Sequence, residues 1–404
     1  VGMDAMVAFR WEAALGEHRL TKAELQAFAN AAAAKQALVR VRGEWVEVRP
    51  DDVAAVTAHL ATTGTATVAQ VLRTALGLDG LPVPEGIEIS GVESTGWLGD
   101  VLDGALHATV APVPTPPDFV GELRPYQERG AGWLTFLGRL GLGACLADDM
   151  GLGKTAQLIA ALLDESAPGP TLVVCPVSVL GNWQGELERF APRLTVIAHH
   201  GPDRFTRHRA KLATRAKRAD VVLTTYSLVA RDIEELERVE WARLVLDEAQ
   251  QVKNPGAAQT RAVQRIPASR RVALTGTPVE NRLSELWSIM HVLNPGLLGS
   301  SRSFRDRFAI PIEREHDEQA TERLRKITAP FMLRRLKSDK SIIDDLPDKI
   351  EVTEHCMLSR EQATLYQAVV DDLVEQAEQA EGMSRRGLVL AGIMRLKQVC
   401  NHPA

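Results

Sequence analysis

The chain has 404 residues, 45% of them apolar and 25% charged, with a formal net charge of −5. That composition describes a globular protein with room for two or three domains. It excludes a helical membrane protein, because no apolar run reaches the roughly 20 residues that a spanning helix needs. The negative balance also argues against a surface that binds nucleic acid everywhere, while leaving room for a local basic track. Cys145, Cys175, Cys356 and Cys400 lie far apart without metal-ligand spacing, and no signal-peptide pattern opens the chain. They read as reduced thiols of a cytoplasmic protein. Cys400 and His402 are close, but two such residues do not make a metal site.

Residues 1–110 read as a small α+β accessory module. Thr21-Lys22-Ala23-Glu24 is a capping-box pattern and starts a helix expected to run to about Lys35. Ala37 to Arg42 and Trp45 to Val48 alternate on either side of Gly43-Glu44, which predicts a hairpin. Pro50-Asp51-Asp52 opens a second helix, and Thr67 to Ala75 a third that Gly77 should stop. Trp11, Trp45 and Trp97 are expected in the core. Residues 111–118, with four prolines among eight residues, read as a linker, because proline suits neither a helix interior nor a central strand.

Beyond residue 119 the pattern changes to apolar strands alternating with helices. The strands are expected at Leu140–Leu146, Thr171–Pro176, Leu194–Ala198, Ala219–Tyr226, Arg243–Glu248 and Arg271–Thr277. This pattern means an α/β fold, a parallel sheet covered on both faces. In such sheets chemistry sits outside the carboxyl ends of the strands.

The most informative stretch is Asp148-Asp149-Met150-Gly151-Leu152-Gly153-Lys154-Thr155-Ala156, between the first of these strands and a helix. Gly151 and Gly153 let backbone N–H groups approach phosphate oxygens without a Cβ in the way, and the helix N-terminus adds its positive dipole end. Lys154 would reach the outer phosphates of a nucleotide such as ATP, and the Thr155 hydroxyl would ligate Mg²⁺. The strict pattern wants glycine six residues before the lysine, where Asp148 stands. On this stretch alone, an ordinary glycine-rich turn is the competing reading. Upstream, in Leu123-Arg124-Pro125-Tyr126-Gln127, the Gln127 amide can donate to and accept from an adenine edge, with Arg124 beside it. A surface helix start would look the same. Asp247-Glu248 follows a strand 93 residues after Lys154. There Asp247 could hold the metal and Glu248 could orient or deprotonate an attacking water. Thr275-Gly276-Thr277 closes the next strand and could sense the acidic pair, unless it is only a capped turn.

Together these stretches resemble the core motifs of the SWI/SNF-type ATPases, members of the second superfamily of helicase-like motors. The resemblance is carried by Leu146 to Gln157, Asp247-Glu248-Ala249-Gln250-Gln251-Val252-Lys253-Asn254 and Leu274-Thr275-Gly276-Thr277-Pro278-Val279-Glu280-Asn281. It extends to Phe331-Met332-Leu333-Arg334-Arg335 and Arg395-Leu396-Lys397-Gln398-Val399-Cys400-Asn401-His402-Pro403. Gln250 departs from the histidine that many members carry. The N-terminal module is similar to an accessory domain of bacterial members.

The resemblance implies a RecA-like first lobe over 119–282, a helical protrusion over 283–345 and the opening of a second lobe over 346–404. It implies ATP and Mg²⁺ as cofactors and translocation along double-stranded DNA, with displacement of RNA polymerase or another DNA-bound protein. Gln250, Thr275, Gly276 and Thr277 would couple nucleotide state to motion. Pro176, Ser178, Asn182, Trp183, Thr224, Thr225 and Tyr226 would follow one DNA strand, and Arg334 and Arg335 would meet DNA or the other lobe. An arginine finger is worth about 10³–10⁵ in turnover and would lie in the rest of the second lobe, so weak ATPase is expected of residues 1–404 alone. A strand-separating helicase, a polymerase-recycling factor and a nucleotide-gated scaffold without turnover stay open as alternatives. The basic run Arg204, Arg207, Arg209, Lys211, Arg215, Lys217 and Arg218 reads either as a DNA-facing patch or as a solvated helix face.

Overall fold

A computed structural model describes residues 2–401 apart from 16–17, 61–62, 76–80, 82–88, 90–91, 103–109, 166–168, 202–209, 277–281, 340–351, 353, 355 and 380–381. The chain divides into two units, Val1–Asp345 and Leu346–Ala404. Gly77, Thr277 and the arginines at 204, 207 and 209 fall outside the described residues. No described helix is long and apolar enough to cross a membrane.

The first unit opens with β1 (Met6–Arg10), paired antiparallel with β6 (Thr63–Thr67). Between them lie a short hairpin, β2 (Ala14–Leu15) and β3 (His18–Arg19), and the helix Lys22–Ala33. The capping box forms as its residues require: Thr21 Oγ1 accepts from the Glu24 N–H, and the Glu24 carboxylate accepts from the Thr21 N–H at 2.7 Å. The second hairpin pairs β4 (Leu38–Val41) with β5 (Glu44–Glu47). Its turn is Arg42-Gly43, one residue earlier than the sequence suggests, with φ of 51° and 92°. Two positive φ angles are what a two-residue turn needs to match strand twist. Arg42 is held in that left-handed conformation by its guanidinium, which donates to Glu24 at 2.8 Å and to the Arg19 carbonyl at 2.8 Å.

Alternation along this hairpin turns Val39, Val41 and Val46 toward Phe28, Ala31 and Val48. Trp45 is therefore left outside, 68% exposed, and is not the core residue expected. Trp11 stands half-buried with its ring against Phe9 and His59, and Trp97 is also half-buried.

The proline-rich stretch is no free spacer. The Val113 N–H donates to the Glu128 carbonyl at 3.0 Å, and the Thr115 N–H donates to the Glu128 carboxylate at 3.2 Å. This ties the stretch along the helix Pro125–Arg139. Moreover Met3, Ala66, Val68, Val71 and Leu72 belong to the same apolar cluster as the central sheet, so part of the N-terminal segment completes the core of the first unit.

That sheet has seven strands in the order β13-β7-β12-β11-β8-β10-β9, all parallel. They are β7 (Ala144–Leu146), β8 (Thr171–Cys175), β9 (Val196–Ala198), β10 (Val221–Thr225), β11 (Arg243–Asp247), β12 (Arg271–Leu274) and β13 (Met332–Leu333). Every residue of β7, β8 and β10 is buried, as in a sheet covered on both faces. The apolar run from Leu140 yields a strand only from Ala144. Gly141 turns the chain at φ 66°, and Gly143 exchanges hydrogen bonds with the Asn294 side chain at 2.8 and 3.0 Å.

The helix Leu283–Leu293 buries Leu286, Trp287, Ile289 and Met290 in the main cluster, so the region read as a protrusion starts as a core helix. The chain then runs through the helices Ser301–Phe304, Ile310–Glu315 and Glu318–Thr328 and returns to the sheet edge as β13, a strand the sequence did not announce. The second unit contains the helices Arg360–Gln379 and Gly382–Asn401, joined where the Gln362 amide donates to the Val399 and Cys400 carbonyls.

The Glu24 carboxyl is held at about 2 by the Arg42 guanidinium and the Thr21 N–H. Its folded value lies below the ordinary range near 4.3. The stability it contributes is therefore complete above that range and is lost as pH falls through about 2. Glu24→Gln should lower the thermal midpoint at pH 7, and the gap from the unaltered protein should narrow steadily as melts are taken down toward pH 2.

Candidate nucleotide and metal site

The carboxyl ends of β7, β12 and β11 stand level. Leu146 lies opposite Leu274, and Leu274 opposite Asp247. Two strand spacings, about 10 Å, separate the start of the phosphate loop from the acidic pair. Both lie at the same end of the sheet.

Gly151 and Gly153 have φ of 85° and 72°, the left-handed region that a side chain would strain. The helix Lys154–Asp164 starts immediately after them. Leu152 is buried with Tyr126, and its carbonyl accepts from the Tyr126 hydroxyl at 3.3 Å, Gln127 Nε2 at 3.3 Å and Gln157 Nε2 at 3.2 Å. Gln127 Oε1 also accepts from the Arg124 N–H at 2.9 Å. The amide read from the sequence as an adenine reader thus braces the loop here. Arg124 is exposed at the start of its helix. Met150 is 72% exposed and leans on Gly276, while Ala156 is half-buried in the first turn of the following helix.

The Lys154 ammonium donates to the Asp148 carbonyl at 2.7 Å and the Asp149 carbonyl at 3.4 Å. Burial pushes its pKa down, and the charges of Asp148, Glu248, Asp247 and Asp149 oppose that shift. Lys154 therefore feels both residues of the acidic pair. The Thr155 hydroxyl lies near Glu186 and favours its charged form, while burial and the charge of Asp247 push the Glu186 carboxyl up.

Asp247 is held by what surrounds it. Trp183 Nε1 donates to Oδ2 at 2.7 Å and the Glu248 N–H to Oδ1 at 2.9 Å, while the Tyr226 hydroxyl donates to its carbonyl at 2.7 Å. Burial and the neighbouring Glu248 charge raise the Asp247 pKa, against the lowering effect of those donors and of Lys154. Glu248 occupies φ 49°, ψ 56°. A non-glycine residue there costs of order 1–3 kcal/mol, and such strain clusters at functional sites. From Glu248 a relay runs outward: Gln250 Nε2 donates to its carboxylate at 2.7 Å, and the Thr275 hydroxyl donates to Gln250 Oε1 at 3.0 Å. Thr275 is fully buried at the end of β12 and Gly276 half-buried beside it.

The residues expected to follow DNA divide. Ser178 and Asn182 are exposed and Pro176 half-buried. Trp183, Thr224, Thr225 and Tyr226 are buried, and the Thr224 hydroxyl donates inward to the His199 carbonyl at 3.2 Å. These four side chains build the site from behind instead of offering themselves at the surface.

Residues 126–404 match the family described as the SNF2-related domain. The chain belongs to the SNF2-related family. Residues 1–76 also match a second description, SNF2 Helicase protein. The chain is 40% identical, over its whole length, to the putative ATP-dependent helicase/translocase YwqA of Bacillus subtilis, of which it spans 45%. It is 36% identical over 85% of its length to the TATA-binding protein-associated factor mot1 of Schizosaccharomyces pombe, spanning 19% of that protein. The SWI2/SNF2 ATPase core of Sulfolobus solfataricus, solved in complex with dsDNA, matches 72% of this chain and 60% of its own at 46% identity, with a TM-score of 0.54. The seven-strand parallel sheet with helices on both sides is thus the RecA-like fold of SNF2-family ATPase cores.

What this SNF2-related chain hid from sequence reading is the use of Asp148. Fully buried, it accepts from Arg335 Nε at 2.9 Å and from the Arg335 backbone N–H at 3.1 Å, and it forks with a second guanidinium nitrogen. The same guanidinium donates to Gln157 Oε1 at 2.6 Å and to the Tyr126 carbonyl. A Cβ on Gly130 would collide with Gln157 and Arg335, so the helix Pro125–Arg139 closes over the pair only because that position is glycine. The Arg335 guanidinium is thus buried and paired inside the first unit, while Arg334 is exposed.

Asp148→Gly restores the strict phosphate-loop pattern, yet it strands the Arg335 guanidinium without its carboxylate. Urea unfolding should show a loss of about 3–5 kcal/mol, the usual cost of breaking a buried pair. Asp148→Ala combined with Arg335→Met should lose clearly less than the two single changes added together.

Proposed function

We propose that this chain grips ATP in an SNF2-type motor that moves along double-stranded DNA and displaces bound protein. The observation that carries the reading is the convergence of the Lys154 loop and the Asp247-Glu248 pair at one end of the sheet, close enough for each carboxylate to act on the Lys154 ammonium. The resemblance to translocases and to an ATPase core solved with dsDNA supports the same assignment.

Backbone N–H groups from Gly151 to Thr155 would receive the phosphates, with Lys154 on the outer oxygens. Thr155 and Asp247 fit a magnesium site: a hydroxyl and a carboxylate oriented by Trp183, beside the second carboxylate Glu186. Bound magnesium would supply neutralisation of charge on the outer phosphates. Glu248 would orient the attacking water and take its proton, and the hydrogen bond through Gln250 to Thr275 would report that event to β12. Arg124 and Gln127 would meet the base once Gln127 exchanges its hold on the loop. Pro176, Ser178 and Asn182, accessible beyond the end of β8, suit contact with DNA phosphates.

ATP turnover should be followed in a chain extended to the length of its relatives, against duplex DNA, single-stranded DNA and RNA. Duplex DNA should give the largest stimulation; stimulation by single strands alone would overturn the duplex reading. Lys154→Ala should abolish nucleotide binding. Glu248→Gln should keep it while turnover falls roughly 10²–10⁴-fold, the range for a lost general base. A Glu248→Gln protein with normal turnover would remove Glu248 from the mechanism.

A further inference from the structure

We propose that Lys337 is a second cation on the phosphates of the bound nucleotide, delivered to the loop by the segment that follows β13. The proposal rests on the nucleotide reading above and deepens it by adding a contact from outside the loop and its helix.

The backbone places this residue. The Ala147 N–H donates to the Leu333 carbonyl at 2.7 Å and the Asp149 N–H to the Arg335 carbonyl at 3.0 Å. The Lys337 N–H then donates to Asp149 Oδ2 at 3.0 Å. The segment thus continues the parallel pairing of β13 with β7 past the end of the strand, in steps of two residues, onto the phosphate loop. Residues two apart share a face in extended chain. Arg335 turns inward to Asp148, Lys337 comes to lie over the loop, and Arg334 and Leu336 between and beside them are exposed.

Over the loop, the Lys337 ammonium lies 2.8 Å from where a Cβ on Gly151 would stand, with Cε at 3.3 Å. Gly151 is three residues before Lys154, whose ammonium rests on the carbonyls of Asp148 and Asp149. Two ammonium groups therefore sit on one glycine-rich turn. The Lys337 ammonium makes no ion pair with any described residue. Anchoring the segment does not need it, because the backbone hydrogen bonds and Arg335 already do that. Two cations on the same turn can be bridged by a polyphosphate, whose successive phosphates carry negative charge to both. Lys337 is exposed, so its effect is moderate.

The test is equilibrium binding of a fluorescent ATP analogue to the 404-residue chain in magnesium, with ATP, ADP and AMP as competitors. Lys337→Met keeps the aliphatic stem over Gly151 and removes the charge. It should weaken ATP and ADP roughly tenfold, the scale of one hydrogen bond to a charged group, and leave AMP nearly unchanged. Lys337→Arg should restore ATP affinity. If Lys337→Met binds ATP like the unaltered chain while Lys154→Ala does not bind, the inference is overturned and the nucleotide reading stands. Equal weakening of ATP and AMP would also overturn it, since that marks loss of loop shape and not of a phosphate contact. If the unaltered chain binds ATP no better than Lys154→Ala, the nucleotide reading falls and Lys337 falls with it.

Discussion

The buried carboxylate of Asp148 is the constraint on which the first unit's working end depends. A charge removed from water is costly unless its partners are exact in number and geometry. Here the Arg335 guanidinium and backbone N–H and the Gln157 amide all converge on it. Because Arg335 lies two residues beyond the end of β13, that requirement helps hold a two-residue strand on the edge of the sheet. Because Gln157 also donates to the Leu152 carbonyl, it fixes the phosphate loop. One carboxylate thereby ties together the Pro125–Arg139 helix, the loop, the helix after it and a segment 187 residues away. The acidic residue that departs from the strict loop pattern is thereby part of what gives this loop its shape.

A second arrangement orders the opposite wall. Asp247 is half-buried beside Glu248, and its desolvation and the like charge next to it both disfavour ionisation. Trp183, the Glu248 N–H and Lys154 work against that tendency. The helix Leu180–Phe190 contributes both Trp183 and Glu186, three residues apart on one face, to the two sides of the same site. The left-handed backbone of Glu248 aims its carboxylate at Gln250, and the connection to Thr275 is made of side chains on consecutive strands of the sheet. In the proposed motor this is the shortest physical path from a change at the phosphates to a change in β12.

Local chemistry was legible in the sequence. Glycines at positive φ, the capping box at Thr21 and Glu24, the alternation of the hairpin and the apolar strands of a covered parallel sheet are each decided by neighbours in the chain. What was not legible depended on partners far away. β13 has no periodicity of its own and exists through β7 and the Asp148–Arg335 pair. For Trp183, Thr224 and Tyr226 the family resemblance implied contact with DNA. Their donors are instead taken up by Asp247 and the His199 carbonyl. Trp45 erred in the other direction, because the valines of its hairpin had already filled the inward face.

Three side chains assigned to the nucleotide in the proposed reading already have partners within the protein. Lys154 is on two carbonyls, Gln127 on the Leu152 carbonyl and Glu248 on Gln250. Binding is then an exchange of partners with little new ordering, which keeps its entropic cost low. The exchange has a direction. A phosphate oxygen attracts Lys154 more strongly than a neutral carbonyl, because charge-assisted hydrogen bonds are roughly twice as strong.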